Sequence, residues 1–492
     1  MRRWVRWPCG LLLLLLSACT PSQLPLPPAP EPKTLADLEA WRSPPALEPL
    51  APVQVDWAVQ SFAISNGIRV HVVERPRDTV TAIRLWVPSL RDRGAGPIVG
   101  MTESLRAGTR VTPDSTLLNP KLAEVAIGVL SRESGTEFWW DVLPRGTPRA
   151  IELLAAFILR PVFEEREVQV QLQRQLALIQ AFSVGMAHAS FQARAGLPGL
   201  GARGVLADAD SLVNLRAEDL HSLHSCSMQP KDAELIVVGP VVASQVVAWA
   251  QAAFGDWKQV DLLETPTCKR WQVALAPQRL DQRLLEKPSV QLIRSGDRDL
   301  HVVFVVPGPL ASSEDYAAFL ALSHVMEQRQ LRRGRELLHM GASTRIKAEA
   351  NTVPYRVLLE FAGAVEPGTA YAEVRQLLAG VRGLAATLTE SEVAIAKRWA
   401  SGQDARKVSH SPGLANSMIW ALAHQRRPEE ATSWPNSALD LTLEGCRKVA
   451  DRWFTHAQPS IVLSGTADEL GKGEKLGFDA DIRERYLVQS SL

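Results

Sequence analysis

The stretch Ala233-Glu234-Leu235-Ile236-Val237-Val238-Gly239 decides the fold more than any other part of the sequence. A short apolar run rich in β-branched residues and ended by glycine predicts a buried strand. The helical stretch Ala217 to Cys226 precedes it. The same order of helix, proline, strand and glycine returns in Gly445 to Thr455 and Pro459-Ser460-Ile461-Val462-Leu463-Ser464-Gly465. The closing glycines lie 226 residues apart (465 − 239), so one domain-sized plan occurs twice.

The first copy begins with two β-rich runs, Phe62 to Ser65 and Ile68 to Val73, around Asn66-Gly67, which is a strong hairpin signal. A third strand is predicted at Thr81 to Val87. Helices are predicted at Pro148 to Leu159 and Glu164 to Phe182, the second with an apolar face of 3- and 4-residue steps. Strands and helices come in blocks, so the sequence predicts two homologous α+β halves.

Composition excludes several classes of protein. The 492 residues are 46% apolar and 22% charged, which is enough for a sizeable core and two or more domains. With 54 basic and 53 acidic residues the formal net charge is +1. A chain this close to neutral lacks the positive charge that binds the phosphate backbone, so nucleic acid is not expected as its main partner. Beyond residue 20 no apolar stretch approaches the roughly 20 residues that cross a bilayer, so a polytopic membrane protein is excluded.

The first twenty residues resemble a bacterial lipoprotein signal peptide. A basic start, Met1 to Arg6, is followed by the apolar run Leu11 to Leu16 and then by Leu16-Ser17-Ala18-Cys19. That ending is similar to a lipobox, which implies that Cys19 is lipidated and anchors the chain to a membrane. Because Thr20 is not aspartate, we expect the outer membrane of a bacterial envelope, facing the periplasm. The alternative is an ordinary cleaved signal peptide with an incidental cysteine.

The sequence predicts five segments. They are a signal peptide at 1–18, a proline-rich tether at 19–54, a first domain at 55–257, a linker at 258–288 and a second domain at 289–485. If Cys19 is lipidated, the body keeps three cysteines, Cys226, Cys268 and Cys446, and at least one of them is unpaired.

At this point the chain resembles a known family, the insulinase and mitochondrial-processing-peptidase type of zinc metallopeptidase. In the first half the landmarks are the Asn66-Gly67 hairpin, Ala107-Gly108-Thr109, Pro161-Val162-Phe163 before a long helix, and Ile236 to Gly239. In the second half they are Lys287-Pro288, Gln291, Arg335-Glu336 ahead of Gly341, and Thr389-Glu390-Ser391-Glu392 leading into Ala396-Lys397. The resemblance covers roughly residues 55 to 485. It implies two homologous metallohydrolase-type domains, each a mostly antiparallel sheet with helices packed on it.

The sequence departs from that family at the zinc motif. Active members carry H-x-x-E-H, in which two histidines bind zinc and the glutamate is the general base. Counted back from Gly108-Thr109, the imidazole positions hold Val99 and Glu103 and the base position holds Thr102. The position of the third ligand, about 75 residues onward, falls near Gln180. Catalytic zinc needs three protein ligands, so no zinc and no other cofactor is predicted here, although zinc is expected of active relatives.

Two further features bear on a site. Members of the family bind the substrate backbone with an arginine and a tyrosine. Arg335 matches the arginine, but Thr344 occupies the position of the tyrosine. We expect Arg335 to contact a peptide or partner, or to be an ordinary helix-surface arginine. No histidine begins H-x-x-E-H or H-E-x-x-H. The closest pair, His221 and His224, is predicted to lie on the solvated face of a short helix.

The resemblance implies a non-catalytic, lipid-anchored member of the family, so the prediction leans away from an enzyme. Such a chain would pair with a zinc-bearing homologue and hold extended peptides as an added edge strand. The alternatives are an active zinc endopeptidase with an unrecognised metal site and a structural envelope lipoprotein.

Overall fold

The computed structural model describes residues 50–52, 57–88, 101, 125–132, 135–181, 185–197, 212–261, 264–266, 268, 286–294, 300–339, 346–353, 356–366, 368–466, 470 and 476–486. The chain divides into two units, Met1–Ala51 and Pro52–Leu492. Every element below lies in the second unit.

The first half is built on a six-stranded sheet, sheet A, with strand order β1-β2-β6-β3-β5-β4. Its strands are β1 (Gln60–Ala63), β2 (Arg69–Glu74), β3 (Thr81–Pro88), β4 (Val125–Arg132), β5 (Gly135–Val142) and β6 (Glu234–Gly239). Its helices are α1 (Thr147–Leu159), α2 (Glu165–Ala181), α3 (Gly185–Ala195), α4 (Ala217–Ser227) and α5 (Ala243–Phe254). The predicted hairpin is confirmed: β1 and β2 pair antiparallel around Asn66-Gly67, and Gly67 has a φ of 96°.

The second half is built on sheet B, with strand order β12-β7-β11-β8-β10-β9. Its strands are β7 (Ser289–Arg294), β8 (Leu300–Leu310), β9 (Lys347–Val353), β10 (Arg356–Val365), β11 (Ser460–Gly465) and β12 (Asp481–Tyr486). Its helices are α6 (Tyr316–His339), α7 (Ala370–Arg382), α8 (Leu384–Thr387), α9 (Glu390–Val408), α10 (Ser411–Ala423), α11 (Trp434–Ser437) and α12 (Leu443–Ala450). A π-helical turn, Asp451–Thr455, continues α12.

The two sheets have the same topology. Five strands of sheet B correspond in order to five strands of sheet A: β7-β11-β8-β10-β9 matches β2-β6-β3-β5-β4. In each series the first pair is parallel, β7–β11 in sheet B and β2–β6 in sheet A. The other pairs in both series are antiparallel. The sheets differ at one edge, where β1 pairs antiparallel with β2 but β12 pairs parallel with β7. The predicted α+β architecture of two homologous halves is therefore confirmed.

One helix of each half packs on the sheet of the other half. Helix α10 packs on sheet A, where Leu414, Met418 and Ile419 meet Trp86 and Ile236. Helix α3 packs on sheet B in the same way. That contact joins Ala189, Ala193 and Leu197 to Ile293, Val303, Val305, Leu358 and Val462. Removing these apolar side chains from water stabilises the association of the halves by about 25 cal/mol per Å².

Polar side chains reinforce the same contact. The guanidinium of Arg75 donates to the carbonyl oxygens of Val408 and Ser409 at 2.7 and 2.6 Å. Arg84, buried in sheet A, donates from Nε to Oδ1 of Asn416 at 2.8 Å and pairs with Asp141. Buried charges are tolerated only when they are paired and hydrogen-bonded, so these contacts fix how α10 lies on sheet A.

At least one of the three cysteines of the body is predicted to be unpaired, and the structure confirms this. Cys226 on α4 forms a disulfide with Cys268, and Cys446 is a buried free thiol. The disulfide ties α4 to the segment predicted as the interdomain linker. Within the described ranges no helix is both long and apolar enough to cross a membrane.

We expect truncation of one side chain at the contact between α10 and sheet A to lower the free energy of unfolding. The variant Ile419→Ala truncates a fully buried side chain of α10 at its contact with sheet A. This change should lower the free energy of unfolding by about 2–5 kcal/mol. Ile395→Ala, at an isoleucine that is 46% exposed on α9, should change that free energy by about 0.5 kcal/mol or less. Urea denaturation followed by circular dichroism measures both, and equal losses in the two variants would contradict the packing described.

Candidate functional site

Most residues that the sequence singles out lie outside the described part of the chain. They are Cys19, Val99, Thr102, Glu103 and Thr344. The backbones of Gln180 and Arg335 lie in α2 and α6, but their side chains are outside the description. Within the predicted motif only Met101 is described; it is helical, fully buried, and its Sδ lies 4.0 Å from Oγ of Ser227. These assignments stay predictions.

The second half contains a described counterpart of the motif. Residues 99–103 fall between β3 and β4, and by the shared topology α6 falls at the same point, between β8 and β9. Helix α6 contains His324-Val325-Met326-Glu327-Gln328. This stretch keeps the first histidine and the glutamate of H-x-x-E-H and has glutamine in place of the second histidine. A search for the complete motif misses it; the internal duplication was the signal that could have found it.

Helix α9, the counterpart of α2, supplies the position of the third ligand. Gln403 follows Gln328 by 75 residues, the spacing that the family's pattern gives for the third ligand; in the first half the predicted position falls near Gln180. His324, Glu327 and Gln403 line one cavity of about 370 Å³. The structure therefore brings Gln403 of α9 to the same cavity as His324 and Glu327 of α6, more than 70 residues earlier in the sequence.

The imidazole of His324 is held from two directions. Its Nδ1 lies 2.9 Å from Oε2 of Glu327, one helical turn onward. Its ring stacks on the indole of Trp399 with the centroids 4.2 Å apart and the planes 5° from parallel. The histidine side chain is 8% exposed and that of Glu327 is 37% exposed, so the carboxylate is accessible at the cavity wall while the ring is fixed behind it.

These residues do not fit a catalytic zinc ion. Such a site needs three protein ligands and an open position for water. The second half offers one imidazole and two glutamine amides at the ligand positions, and in the first half the sequence prediction assigns one of them to Val99, whose side chain has no donor atom. Among the described residues no group of three or more His, Cys, Asp or Glu side chains could hold a metal ion. The described residues of the second half therefore do not form a site for zinc-activated water.

The cavity around His324 is the middle of a longer depression, the α6–α9 groove. On one side it shares Trp399 and Gln403 with a cavity of about 900 Å³ lined by α6, α9 and α10. On the other side His324 also lines a cavity of about 440 Å³ beside Arg329 and Glu392. Ile346, Lys347, Ala348 and Glu349 of the β9 segment border the middle cavity. The groove therefore runs beside β9, which stands at the end of the strand order of sheet B.

A network of charged hydrogen bonds holds the two helices of the groove. Arg329 on α6 donates to both carboxylate oxygens of Glu392 at 2.9 and 2.8 Å and also to Thr387. Glu392 and Thr389 form a capping box at the start of α9. The hydrogen bond from Arg329 is the main reason that the pKa of Glu392 falls to about 2. The groove is thus a preformed feature of the fold.

One sequence prediction is wrong for one of its two residues. The sequence predicts His221 and His224 on a solvated helix face; His221 is exposed, but His224 is buried and packs against Phe163, whose ring centroid lies 4.9 Å from that of His221 and 6.0 Å from that of His224. Burial, and secondarily the nearby His221, lowers the pKa of His224 to about 3. His224 packs as a neutral core residue because α4 turns this side toward the segment before α2.

Comparison with known proteins agrees with this architecture. The sequence model of a family described as "peptidase M16 inactive domain" matches residues 214–398. A protease from Helicobacter pylori is 16% identical with a TM-score of 0.70 over 83% of this chain and 99% of that one. A peptidase M16 inactive domain from Pseudomonas fluorescens is 15% identical with a TM-score of 0.69, over 83% of this chain and 98% of that one. No curated protein matches.

The first half of the periplasmic protease PqqL from Escherichia coli is also similar. It is 12% identical with a TM-score of 0.62, and the match covers 86% of this chain and 96% of that half. At sequence identities this low, similarity to the solved structures establishes only the fold. The resemblance to the insulinase-like, or M16, peptidases is confirmed: the chain has their fold, and the family model described as an inactive domain matches a range that begins just before α4 in the first half and ends in α9 of the second.

His224 predicts a specific loss of stability in acid. The unfolded histidine takes up a proton below its ordinary pKa of 6.5, whereas the folded one does so only near 3. Unfolding free energy should therefore fall by about 1.4 kcal/mol for each pH unit below roughly 6, down to the folded pKa. In His224→Leu this part of the slope should disappear. Urea melts between pH 7 and pH 4 measure it, and identical slopes in the two proteins would contradict the assignment.

Proposed function

We propose that this chain is a non-catalytic M16-type protein that binds extended peptides in the α6–α9 groove by pairing them with β9. The observation that carries the proposal is the position of the groove. It lies where the internal duplication places the counterpart of the family's active site, and it lies beside the edge strand of sheet B.

The chemistry of the groove suits a peptide main chain. An edge strand presents backbone N–H and C=O groups that an added strand can satisfy, which gives affinity independent of sequence. Side chains of the added strand alternate, so every second one meets the wall formed by His324, Glu327 and Trp399. Only one of the three ligand positions, His324, has a zinc-binding side chain, so we expect that a peptide held there is not hydrolysed by metal-activated water.

Backbone methylation of the peptide tests strand pairing. An added strand turns alternate N–H groups toward β9 and the others away. N-methylation of one alternate set in a bound, unstructured peptide should weaken its binding by at least about tenfold, while methylation of the other set should leave binding within about threefold.

The measurement is fluorescence anisotropy with the full chain, first treated with a chelator. Loss of affinity with both sets, or with neither, would contradict pairing with an edge strand. Cleavage of the unmodified peptide that stops on chelation would favour an active metallopeptidase instead.

We further propose that the chain works in a bacterial envelope, anchored through Cys19, beside a zinc-bearing homologue. The whole PqqL protease, periplasmic by its description, is matched over only 49% of its length, so this chain is the size of one of its halves. A second, catalytic chain would complete an arrangement of that size. The disulfide between Cys226 and Cys268 supports an oxidising compartment.

Crosslinking in envelope membranes tests the pairing. A tagged full chain should be recovered with a homologue that contains H-x-x-E-H, and a Cys19→Ala variant should leave the membrane fraction without losing that partner in vitro. Recovery of the chain only as a monomer would count against the pairing, and membrane retention of the variant would count against the anchor.

A further inference from the structure

The larger cavity of the α6–α9 groove has the walls of a binding site for a small group. Its volume is about 900 Å³, in the range of small-molecule sites. Three aromatic residues line it, Tyr316, Trp399 and Trp420, with the rings of Tyr316 and Trp420 5.4 Å apart. These flat apolar walls would remove an apolar side chain from water at one end of the groove.

Hydrogen-bond donors converge on the same cavity. Arg406, Lys407 and His410 lie within five residues of one another at the junction of α9 and α10, and all three line it. His410 accepts the N–H of Gly413 at Nδ1, so its neutral ring carries the proton on Nε2, which is a donor. Asn416 accepts from Arg84 at Oδ1, so its amide NH₂ group is also a donor.

The charges that line the cavity are unevenly distributed. The cations are Arg406, Lys407 and Arg426, and the anions are Glu314 and Asp404. Asp404 accepts from Lys407 at 2.9 Å, and Arg426 pairs with Glu430 at 2.8 Å. Arg406 at the α9–α10 junction and Glu314 before α6 remain, so the excess positive charge is local to the junction, where the neutral donor of His410 also lies and near which Asn416 of α10 adds a second. A cavity with donors clustered at one end and aromatic walls suits an anion attached to an apolar group.

We propose that this cavity binds the C-terminal residue of the peptide, its α-carboxylate against Arg406, Lys407, His410 and Asn416 and its side chain against the aromatic walls. The inference rests on the proposed function, because the cavity adjoins the groove beside β9 through Trp399 and Gln403. It adds the substrate class: peptides with a free C-terminus and an apolar or aromatic last residue.

Matched peptides test this assignment on the full chain. The same phenylalanine-ended peptide is prepared as free acid and as C-terminal amide, and the acid should bind at least about tenfold more tightly. Arg406→Gln and Lys407→Gln should each reduce the ratio of the two affinities by about threefold or more. Lys448→Gln removes the same charge from a lysine that is 73% exposed on α12 and should leave the ratio unchanged.

The outcomes are separable. Equal binding of acid and amide would overturn recognition of the C-terminus and leave the proposed function standing, whereas no binding of either would defeat both. N-acetyl-phenylalanine is the third ligand. If it competes as well as the whole peptide does, the cavity is a site for free small carboxylates and the assignment to peptides is wrong. Reduced ratios in all three variants, including Lys448→Gln, would also overturn the placement of the carboxylate.

Discussion

The exchange of helices between the two halves is the contact on which the rest of the structure depends. Without α10, the apolar face of sheet A formed by Val73, Trp86 and Ile236 would be exposed to water, and without α3 the face of sheet B formed by Val303 and Val305 would be exposed. The same helix α10 also lines the larger cavity of the groove. The packing that holds the halves together therefore sets the geometry of the candidate site, and Arg84 extends this link by holding Asn416.

The candidate site of the second half has part of the family's zinc motif but not a complete set of zinc ligands. Helix α6 still places His324 and Glu327 one turn apart, and α9 still brings Gln403 beside them. Glutamine at two ligand positions leaves too few zinc donors, and Trp399 covers the face of the remaining imidazole. What remains is a polar, aromatic groove next to an edge strand, a surface to which an extended peptide could be added as a further strand.

Local sequence signals predicted much of the fold. The Asn66-Gly67 hairpin, strand β3, helices α1, α2 and α4 and the duplicated β6 and β11 all follow from turn chemistry and apolar periodicity. The exchange of α3 and α10 did not, because an apolar helix face does not identify the sheet it covers. The burial of His224 and its contact with Phe163 arise from tertiary packing, and the disulfide of Cys226 with Cys268 could not be chosen from three cysteines. The partial motif at His324 is visible only once the two halves are aligned.

The central claim is that the second half, through β9 and the α6–α9 groove, holds an extended peptide. Hydrogen exchange of the full chain with and without an unstructured peptide, read by mass spectrometry of segments, tests it most directly. The account predicts added protection in Lys347–Val353 and in the facing parts of α6 and α9, with no peptide cleavage. Protection confined to the first half, around residues 99–132, would contradict it.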